Sequence, residues 1–336
     1  MFIIGSFNLY KMNFQSDKER KKSFENISDI IISEGYDVIA LQEVLSEQAC
    51  NELLRHLGPT WEGRWEFPKK SSVSAAEGYA FLWNTRTMGL TQNDDGKEFE
   101  PRILNQYRID RKAGQTELIR NPYFGRFTPR FLPKAEFRLI NVHFRFDKDK
   151  ELELSAVKQR KNEFGVLTEA IYPKYEDKRY GNNNAAYTFI LGDYNLNIVK
   201  PIVLDGRDRN CPLDEVVYID DKKIITVQEK LTTVRMSDNQ KSEEEASAVE
   251  INNVKTQKIK EDIKALKKMT PDYYANNYDH FTYNAEIENR LLLLNDRVEA
   301  VGKYYKKDSD LYRKEVSDHV PIKLTVEPNP IKMLSI

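Results

Sequence analysis

The sequence predicts an α/β fold, and three features support this prediction. Near the amino terminus, short apolar segments rich in β-branched residues alternate with amphipathic segments of helical period. Polar residues follow the apolar segments directly, as in Leu41-Gln42-Glu43 and Leu191-Gly192-Asp193-Tyr194-Asn195. The 336 residues are 40% hydrophobic and 31% charged, which is typical of a globular chain with a sizeable core.

The first strand is predicted within Phe2–Leu9, with Asn8 near its carboxyl end. Ser16-Asp17-Lys18-Glu19 has the pattern of a capping box. Apolar residues at helical spacing follow this box and stop at Gly35, which predicts the first helix.

The second strand is predicted at Val38–Leu41, and it ends in Gln42 and Glu43. Ser46 is placed to cap a second helix, and Gly58-Pro59 ends that helix. Two successive strands therefore present polar side chains at their carboxyl ends.

Residues 60–134 carry few helix signals, and their aromatic side chains favour packing roles. Residues 77–83 predict a strand, and Asn93-Asp94-Asp95-Gly96 predicts a turn. Residues 137–143 form a further apolar segment, which ends at His143.

The second half begins with a predicted long helix over Lys150–Tyr172, which Pro173 is expected to end. Residues 187–191 form the buried strand that precedes Asp193. Residues 216–227 predict a β-hairpin, and the last strand is predicted at 323–326.

Residues 236–270 differ in composition from the rest of the chain. They begin acidic at Glu243-Glu244-Glu245 and become basic from Lys258 to Lys268, which predicts a surface insertion. The insertion is either a solvated excursion or a mobile lid that offers lysines to a polyanion. No repeat or linker is evident, so one domain is expected over residues 1–328.

Charge, cysteine content and hydropathy exclude several classes of protein. The net charge of −1 does not fit a protein that coats nucleic acid through bulk positive charge. Two cysteines, Cys50 and Cys211, form no disulfide framework. Neither a signal peptide nor an apolar run of membrane-spanning length is present, so a cytoplasmic location is expected.

The chain has only four histidines, and their contexts differ. His56 lies near the end of the second helix, where it favours the helix dipole. His143, His280 and His319 each lie beside a strand and next to carboxylate or amide motifs. His280 is expected to be structural. No cysteine or histidine cluster has zinc spacing, and no Gly-x-Ser-x-Gly motif of a serine hydrolase occurs.

Six short motifs occur in the order found in the endonuclease/exonuclease/phosphatase superfamily, the deoxyribonuclease I-like enzymes, which this sequence resembles. The motifs are Ser6-Phe7-Asn8-Leu9, Leu41-Gln42-Glu43-Val44, Asn141-Val142-His143-Phe144, Gly192-Asp193-Tyr194-Asn195, Tyr278-Asp279-His280 and Ser317-Asp318-His319-Val320-Pro321. The resemblance spans residues 3–326 apart from the insertion. It implies a four-layered α/β/β/α sandwich of two mixed β-sheets flanked by helices.

A divalent metal is expected at the strand ends. Glu43 is an oxygen donor of the kind that Mg²⁺ takes, and Asn8 and Asp318 are expected to complete or tune that site. Mn²⁺ is the alternative cation, and Ca²⁺ is a candidate structural ion.

The resemblance implies six catalytic residues: Glu77, His143, Asp193, Asn195, Asp279 and His319. Asp279 would orient His319 on the side of the attacking water, and Glu77 would be the partner of His143. The general base stays open between the His319–Asp279 pair and Asp193.

Two residues are expected to bind the substrate phosphate. Asn195 would hold it together with Asp193. Arg126 resembles the arginine of the family's Arg-x-Pro element, although Arg126-Phe127-Thr128-Pro129 is one residue longer; Arg130 is the alternative.

The expected function is that of a metal-dependent phosphodiesterase, specifically an endonuclease that hydrolyses DNA by in-line attack of water with a His/Asp base. The alternatives are a phosphatase or phosphodiesterase acting on inositol phosphate, phospholipid headgroups or RNA, and a binding module without catalysis. DNA is the expected partner, and no obligate protein partner is evident.

Overall fold

The computed structural model describes residues 1–14, 22–68, 77–104, 108–111, 114–132, 134–146, 150–180, 184–198, 213–228, 230–235 and 273–329. The predicted capping box at Ser16–Glu19 and the predicted insertion at 236–270 lie outside these residues. Within the described part, no helix combines the length and the hydropathy that a membrane crossing requires.

The first sheet has six strands. In spatial order they are β15 (Leu291–Arg297), β16 (Ile322–Pro328), β1 (Phe2–Met12), β2 (Val38–Val44), β4 (Gly78–Asn84) and β3 (Trp61–Glu66). Strands β1 and β2 pair in parallel and the other neighbours are antiparallel, so the sheet is mixed.

The second sheet has eight strands. Its main path is β12 (Val216–Ile219), β13 (Lys222–Val227), β14 (Asp279–Asn284), β11 (Ala185–Asp193), β10 (Ala135–His143), β9 (Tyr123–Pro129) and β5 (Met88–Leu90), and β6 (Arg102–Ile103) also pairs with β9. Strands β10 and β11 form its parallel pair. A separate hairpin joins β7 (Arg108–Arg111) to β8 (Gly114–Glu117).

Helices cover the outer faces of both sheets. The first sheet packs against α1 (Phe24–Ser33), α2 (Glu47–Leu57), α5 (Ala300–Tyr305) and α6 (Ser309–Glu315). The second sheet packs against α3 (Lys150–Val166), the π-helix Leu167–Ile171 and α4 (Tyr172–Glu176). A 3₁₀ turn at Ala285–Asn289 precedes β15.

Besides the apolar clusters beneath the two helical layers, an apolar core joins the inner faces of the two sheets, because alternate strand residues point inward from each. Phe81 of β4 lies 5.0 Å from Tyr123 and 5.3 Å from Phe127 of β9, measured between ring centroids. The layers are therefore helix, sheet, sheet and helix. This confirms the predicted α/β class and the four-layered sandwich of two mixed sheets.

The long helix predicted over Lys150–Tyr172 is interrupted, and the prediction that Pro173 ends it is wrong. The chain changes to a π-helix at Leu167 and then starts α4 with Pro173 in its first turn. Proline lacks the N–H that a regular helix uses, and the π-turn breaks the hydrogen-bond ladder where the proline enters.

Serines cap α1 and α2, and the cap of α1 is Ser23 rather than a residue of the predicted box at Ser16–Glu19. Ser23 caps α1 by accepting the Asn26 N–H at 3.1 Å. Ser46 caps α2 as predicted, by accepting the Ala49 N–H at 3.2 Å. Cys50 on α2 is a buried free thiol, and burial raises its pKa to about 12.

Candidate active site

The parallel strand pair of each sheet ends at one edge of the sandwich. Asn8 of β1 is in register with Gln42 of β2 in the first sheet. His143 of β10 is in register with Asp193 of β11, which is in register with Asp279 of β14 in the second sheet. The sheets thus bring residues distant in sequence together at one edge, where β10 and β11 end and the antiparallel strand β14 begins with Asp279.

Asp193 lies at the centre of this cluster. Its Oδ2 atom is 3.6 Å from Nε2 of His143 and 3.6 Å from Nε2 of His319. The same oxygen accepts a hydrogen bond from Asn8 Nδ2 at 2.9 Å, and Oδ1 accepts the Asn195 N–H at 2.8 Å. Both imidazoles and both sheets therefore meet at one buried carboxylate.

Gly192 explains how the chain reaches this position. Its φ of +146° lies in a region that side chains rarely adopt, and a Cβ there would lie 2.0 Å from the Val142 carbonyl oxygen. After Asp193 the chain turns sharply, since Asn195 has a φ of 49° and donates its side-chain amide to Phe144 O at 2.8 Å. The Gly-Asp-Tyr-Asn sequence thus forms a tight turn, as its residue types indicate.

His319 and Asp279 form a buried pair in which Nδ1 and Oδ2 are 2.7 Å apart. Burial alone lowers the pKa of His319, but the negative charges of Asp279 and Asp193 outweigh it and raise this pKa well above the usual value. Ser317 fixes the backbone beside the ring by accepting the His319 N–H at 3.1 Å.

The other nitrogen of His143 faces a carboxylate, which is itself paired with an arginine. Its Nδ1 atom lies 3.2 Å from Oε2 of Glu77, which also forms an ion pair with Arg120 at 2.5 Å. Burial raises the pKa of Glu77, but His143, Arg120 and Lys11 outweigh it, so that this pKa is lowered. Glu77 is therefore held as the anion.

Glu43 joins His143 to the first sheet, with its Oε1 atom 3.7 Å from His143 Nε2. Its carboxylate accepts hydrogen bonds from Asn8 Nδ2 at 3.1 Å and from the Lys11 N–H at 3.1 Å. Burial raises its pKa, His143 opposes this, and Glu77 and Asp318 raise it further. A cation at Glu43 would relieve the repulsion between its carboxylate and those of Glu77 and Asp318.

A buried polar network beneath the site joins the two sheets. Gln42 donates to Asn141 Oδ1 at 2.8 Å and to Ser6 Oγ at 3.1 Å. Asn141 donates in turn to the Leu41 carbonyl at 3.0 Å. These side chains come from three of the sequence motifs, and they fix the distance between the strands that carry Glu43 and His143.

The residues of the site fit a hard divalent cation. Two groups of three side chains each bring potential ligand atoms within 4.8 Å of one another: Glu43, Glu77 and His143, and Asp193, Asp279 and His319. In addition, Oδ1 of Asp279 and Oδ1 of Asp318 are buried and accept no hydrogen bond from any residue that the structure describes. Carboxylate oxygens without donors are the ligands that Mg²⁺ and Mn²⁺ prefer.

Nine residues predicted from the sequence, eight from the six motifs together with Glu77, occupy this region. Asn8, Glu43, Glu77, His143, Asp193, Asn195, Asp279 and His319 are buried, while Asp318 lies at its rim with Oδ2 3.7 Å from Arg313 Nη2. His280 points away, since its Nε2 lies 2.6 Å from the Leu196 carbonyl; burial lowers its pKa to about 4.

Arg126, predicted to bind substrate, is not part of this cluster. It is fully buried, and its guanidinium donates twice to Glu136, at 2.9 and 2.7 Å. Its register partner Arg138 precedes His143 by five residues, or roughly 16 Å along β10. The alternative, Arg130, donates to Thr85 O instead. Strand alternation turns Arg126 towards the helical layer, which spacing to a proline could not reveal.

Three residues of the site were not predicted. Arg120 lies in the loop before β9, where no periodicity marks it, and it contacts Glu77 and the His143 carbonyl. The Tyr79 hydroxyl accepts the His143 N–H at 3.2 Å. Lys11 follows Asn8 closely in sequence. Its place just after the polar residue of the first predicted strand was the only feature that could have indicated a role in the site.

Comparisons with known proteins agree with this architecture. Family models and curated proteins give no match to this chain. A solved mannosyl-6-phosphatase of Bacteroides thetaiotaomicron superposes on 97% of this chain and 100% of its own, with a TM-score of 0.50 and 12% identity. An endonuclease/exonuclease/phosphatase of Bacteroides vulgatus superposes on 98% and 99%, with a TM-score of 0.50 and 12% identity.

A third solved structure, an endonuclease/exonuclease/phosphatase family protein from Bacteroides thetaiotaomicron, covers 97% of each chain with a TM-score of 0.50 and 12% identity. At this identity the likeness concerns the fold. The chain has the deoxyribonuclease I-like fold of the endonuclease/exonuclease/phosphatase superfamily, which confirms the predicted resemblance at the level of architecture.

Proposed function

We propose that this protein is a divalent-metal-dependent phosphodiesterase that hydrolyses DNA as an endonuclease. One observation carries the proposal: Asp193 Oδ2 lies 3.6 Å from Nε2 of both His143 and His319. Ester hydrolysis needs an acceptor for the proton of water, positive charge on the phosphoryl oxygens and a proton for the leaving oxygen. A carboxylate between two imidazoles supplies all three kinds of group.

Asp193 is the general base in this proposal. The raised pKa of His319 favours its charged form at neutral pH, so this imidazolium stabilises phosphoryl charge, while Asp279 keeps it oriented. Asp193 takes a proton from water as the new P–O bond forms in line with the leaving group. The P–O bond to the leaving oxygen breaks, and that oxygen takes a proton from an imidazolium.

Glu43 is the proposed anchor for Mg²⁺, with Mn²⁺ as the alternative. Asp318 offers a second carboxylate, whose Oδ1 accepts no hydrogen bond from the described residues, and the Asn8 amide orients Glu43 and Asp193. When bound, the metal supplies charge neutralisation and polarises a phosphoryl oxygen.

Arg120 takes the phosphate-binding role that was predicted for Arg126. Its guanidinium lies beside Glu77 and His143, and its side chain is 13% exposed. Arginine suits phosphate because it offers several fixed donors and keeps its charge. Asn195 stays in the proposed site as a neighbour of Asp193.

A phosphomonoesterase is the second candidate function. The fold is shared with a protein described as a mannosyl-6-phosphatase, so a sugar phosphate belongs among the test substrates. The loops around the strand ends, rather than the fold, select the substrate in such enzymes.

The proposed enzyme is a cytoplasmic protein with one domain over residues 1–328. The buried free thiol of Cys50 fits a reducing compartment.

The test is incubation of the purified protein with supercoiled plasmid, single-stranded DNA, RNA, inositol phosphates and mannose 6-phosphate, each with Mg²⁺, Mn²⁺ or EDTA. The proposal expects nicked and linear plasmid with either metal and none with EDTA. Release of phosphate from the monoesters with intact plasmid would instead support the second candidate.

A further inference from the structure

Strand β1 carries a bulge directly opposite the proposed metal ligand Glu43. Its pairing with β2 breaks after Asn8 and resumes at Met12, whereas β2 advances by only two residues over the same interval. Two extra residues, Tyr10 and Lys11, are therefore looped out at the edge of the site. Bulges are frequent beside active sites, where they redirect side chains.

The bulge has an unfavourable backbone conformation that neighbouring site residues hold in place. Tyr10 has a φ of 43° and Lys11 a φ of 58°, in the left-handed region that residues with side chains avoid. The Tyr10 N–H donates to Asn8 Oδ1 at 2.9 Å, and the Lys11 N–H donates to Glu43 Oε2 at 3.1 Å. Such strain is concentrated at functional sites.

The side chains of the bulge are presented outward. Leu9 and Met12 on either side are fully buried, whereas Tyr10 is partly exposed and Lys11 is exposed.

Two lysine ammonium groups, of the buried Lys22 and the exposed Lys11, lie beside the partly exposed ring. The ammonium of Lys22 lies 5.1 Å from the centroid of Tyr10, and that of Lys11 lies 6.0 Å from it. The charge of Lys11 also contributes to the lowered pKa of Glu77, so it acts on a carboxylate of the site. An aromatic face among cations, beside buried acids, is the arrangement that binds a base and its phosphate.

We propose that the Tyr10–Lys11 bulge is a subsite for single-stranded nucleic acid. The Tyr10 ring stacks with an unpaired base next to the phosphate that is cleaved, and Lys11 contacts the neighbouring phosphate. Bases in a duplex are already paired and stacked, so this subsite favours single strands over duplexes. The inference rests on the proposed phosphodiesterase function and names the form of its substrate.

The test measures binding in EDTA, where no metal-dependent cleavage occurs. Fluorescence anisotropy compares a short oligothymidine with a strand of equal length that has the same phosphates but abasic sugars. The proteins are the wild type, Tyr10→Ala, Tyr10→Phe, Lys11→Gln and the control Phe131→Ala. Phe131 is a 75% exposed aromatic residue beyond the end of β9.

The wild type should bind oligothymidine about tenfold more tightly than the abasic strand. Tyr10→Ala should abolish this preference without weakening binding of the abasic strand, and Tyr10→Phe and Phe131→Ala should keep it. Lys11→Gln should weaken binding of both strands and reduce the salt dependence.

A wild-type preference retained in Tyr10→Ala, or an equal loss on both strands, would overturn the inference. The bulge's hydrogen bonds use backbone N–H groups, so these variants keep them. Cleavage with Mg²⁺ or Mn²⁺ is scored separately: if the wild type cuts neither oligonucleotides nor plasmid, the phosphodiesterase proposal fails, while the binding data still decide the role of Tyr10.

Discussion

The His319 imidazole and the Asp279 carboxylate are both buried, with Nδ1 and Oδ2 2.7 Å apart. The pair joins the last motif of the sequence to β14 at the centre of the second sheet. Because Asp193 faces the other nitrogen of the ring, two carboxylates act on one imidazole. The charge state of His319 is therefore set by named neighbours and can be tested.

Asp279→Asn should lower the pKa of His319. The amide removes the largest of the charges that raise it, and burial, which lowers it, stays. NMR titration of the metal-free protein measures this directly, since the chain has four histidines. His280, with a pKa of about 4, is the internal control and should not shift. An unchanged His319 pKa would contradict the role given to Asp279.

Glu43→Gln should raise the Mg²⁺ concentration needed for half-maximal activity, by about tenfold or more. It should also remove the increase in melting temperature that Mg²⁺ gives the wild type, because a ligand-bound native state is stabilised. The exposed Glu62→Gln is the matched control. An unaltered Mg²⁺ titration in both measurements would count against Glu43 as the metal ligand.

Gly192→Ala should destabilise the fold by about 3 kcal/mol, because the added Cβ meets the Val142 carbonyl and the backbone there has a positive φ. Gly89→Ala is the control, since its Cβ would lie 3.6 Å from the flexible end of Arg130. Urea unfolding of both variants measures the difference. Equal stability of the two variants would show that the corner before Asp193 tolerates a side chain.

Glu163 of α3 makes stability depend on pH. One of its oxygens accepts the Ile119 N–H at 2.6 Å, and the other has no partner among the described residues. Burial raises its pKa from 4.5 to about 7, although the Ile119 hydrogen bond, Arg120 and Arg160 oppose this. Between these values the folded protein keeps a proton that the unfolded chain releases, so stability falls as pH rises.

In Glu163→Gln, the free energy of unfolding should therefore lack a pH-dependent contribution of roughly 3 kcal/mol across that range. Relative to the wild type, the variant should gain stability between about pH 5 and pH 8. Urea unfolding at both pH values measures this, with the exposed Glu169→Gln as the control. A constant difference between Glu163→Gln and the wild type would refute the assignment.

Strand ends were the most predictable part of the molecule. Apolar β-rich segments that end in an acid, an amide or a histidine identified β1, β2, β10 and β11, and the parallel pairs then bring those ends together. Glu43, His143 and Asp193 lie close together for this reason, whereas His319 joins them from the segment before β16. Motif order, rather than any single motif, carried that information.

Other features could not be predicted because they depend on three-dimensional neighbours. β15 begins with four leucines, whose lack of alternation hides a strand with one buried and one exposed face. Arg126 was misassigned because its direction depends on the face of β9 that meets Glu136. The bulge at Tyr10 depends on hydrogen bonds to Asn8 and Glu43, which no local pattern encodes.

The central claim is that Asp193 and the histidines around it hydrolyse a phosphodiester. The most direct measurement is the rate of plasmid nicking with Mg²⁺ by the wild type, Asp193→Ala and His319→Ala, with Asp94→Ala and His56→Ala as exposed or peripheral controls. Both site variants should lose at least about a hundredfold in rate while keeping the wild-type circular dichroism spectrum, and both controls should match the wild type. Wild-type turnover in either Asp193→Ala or His319→Ala would contradict the assignment of this site.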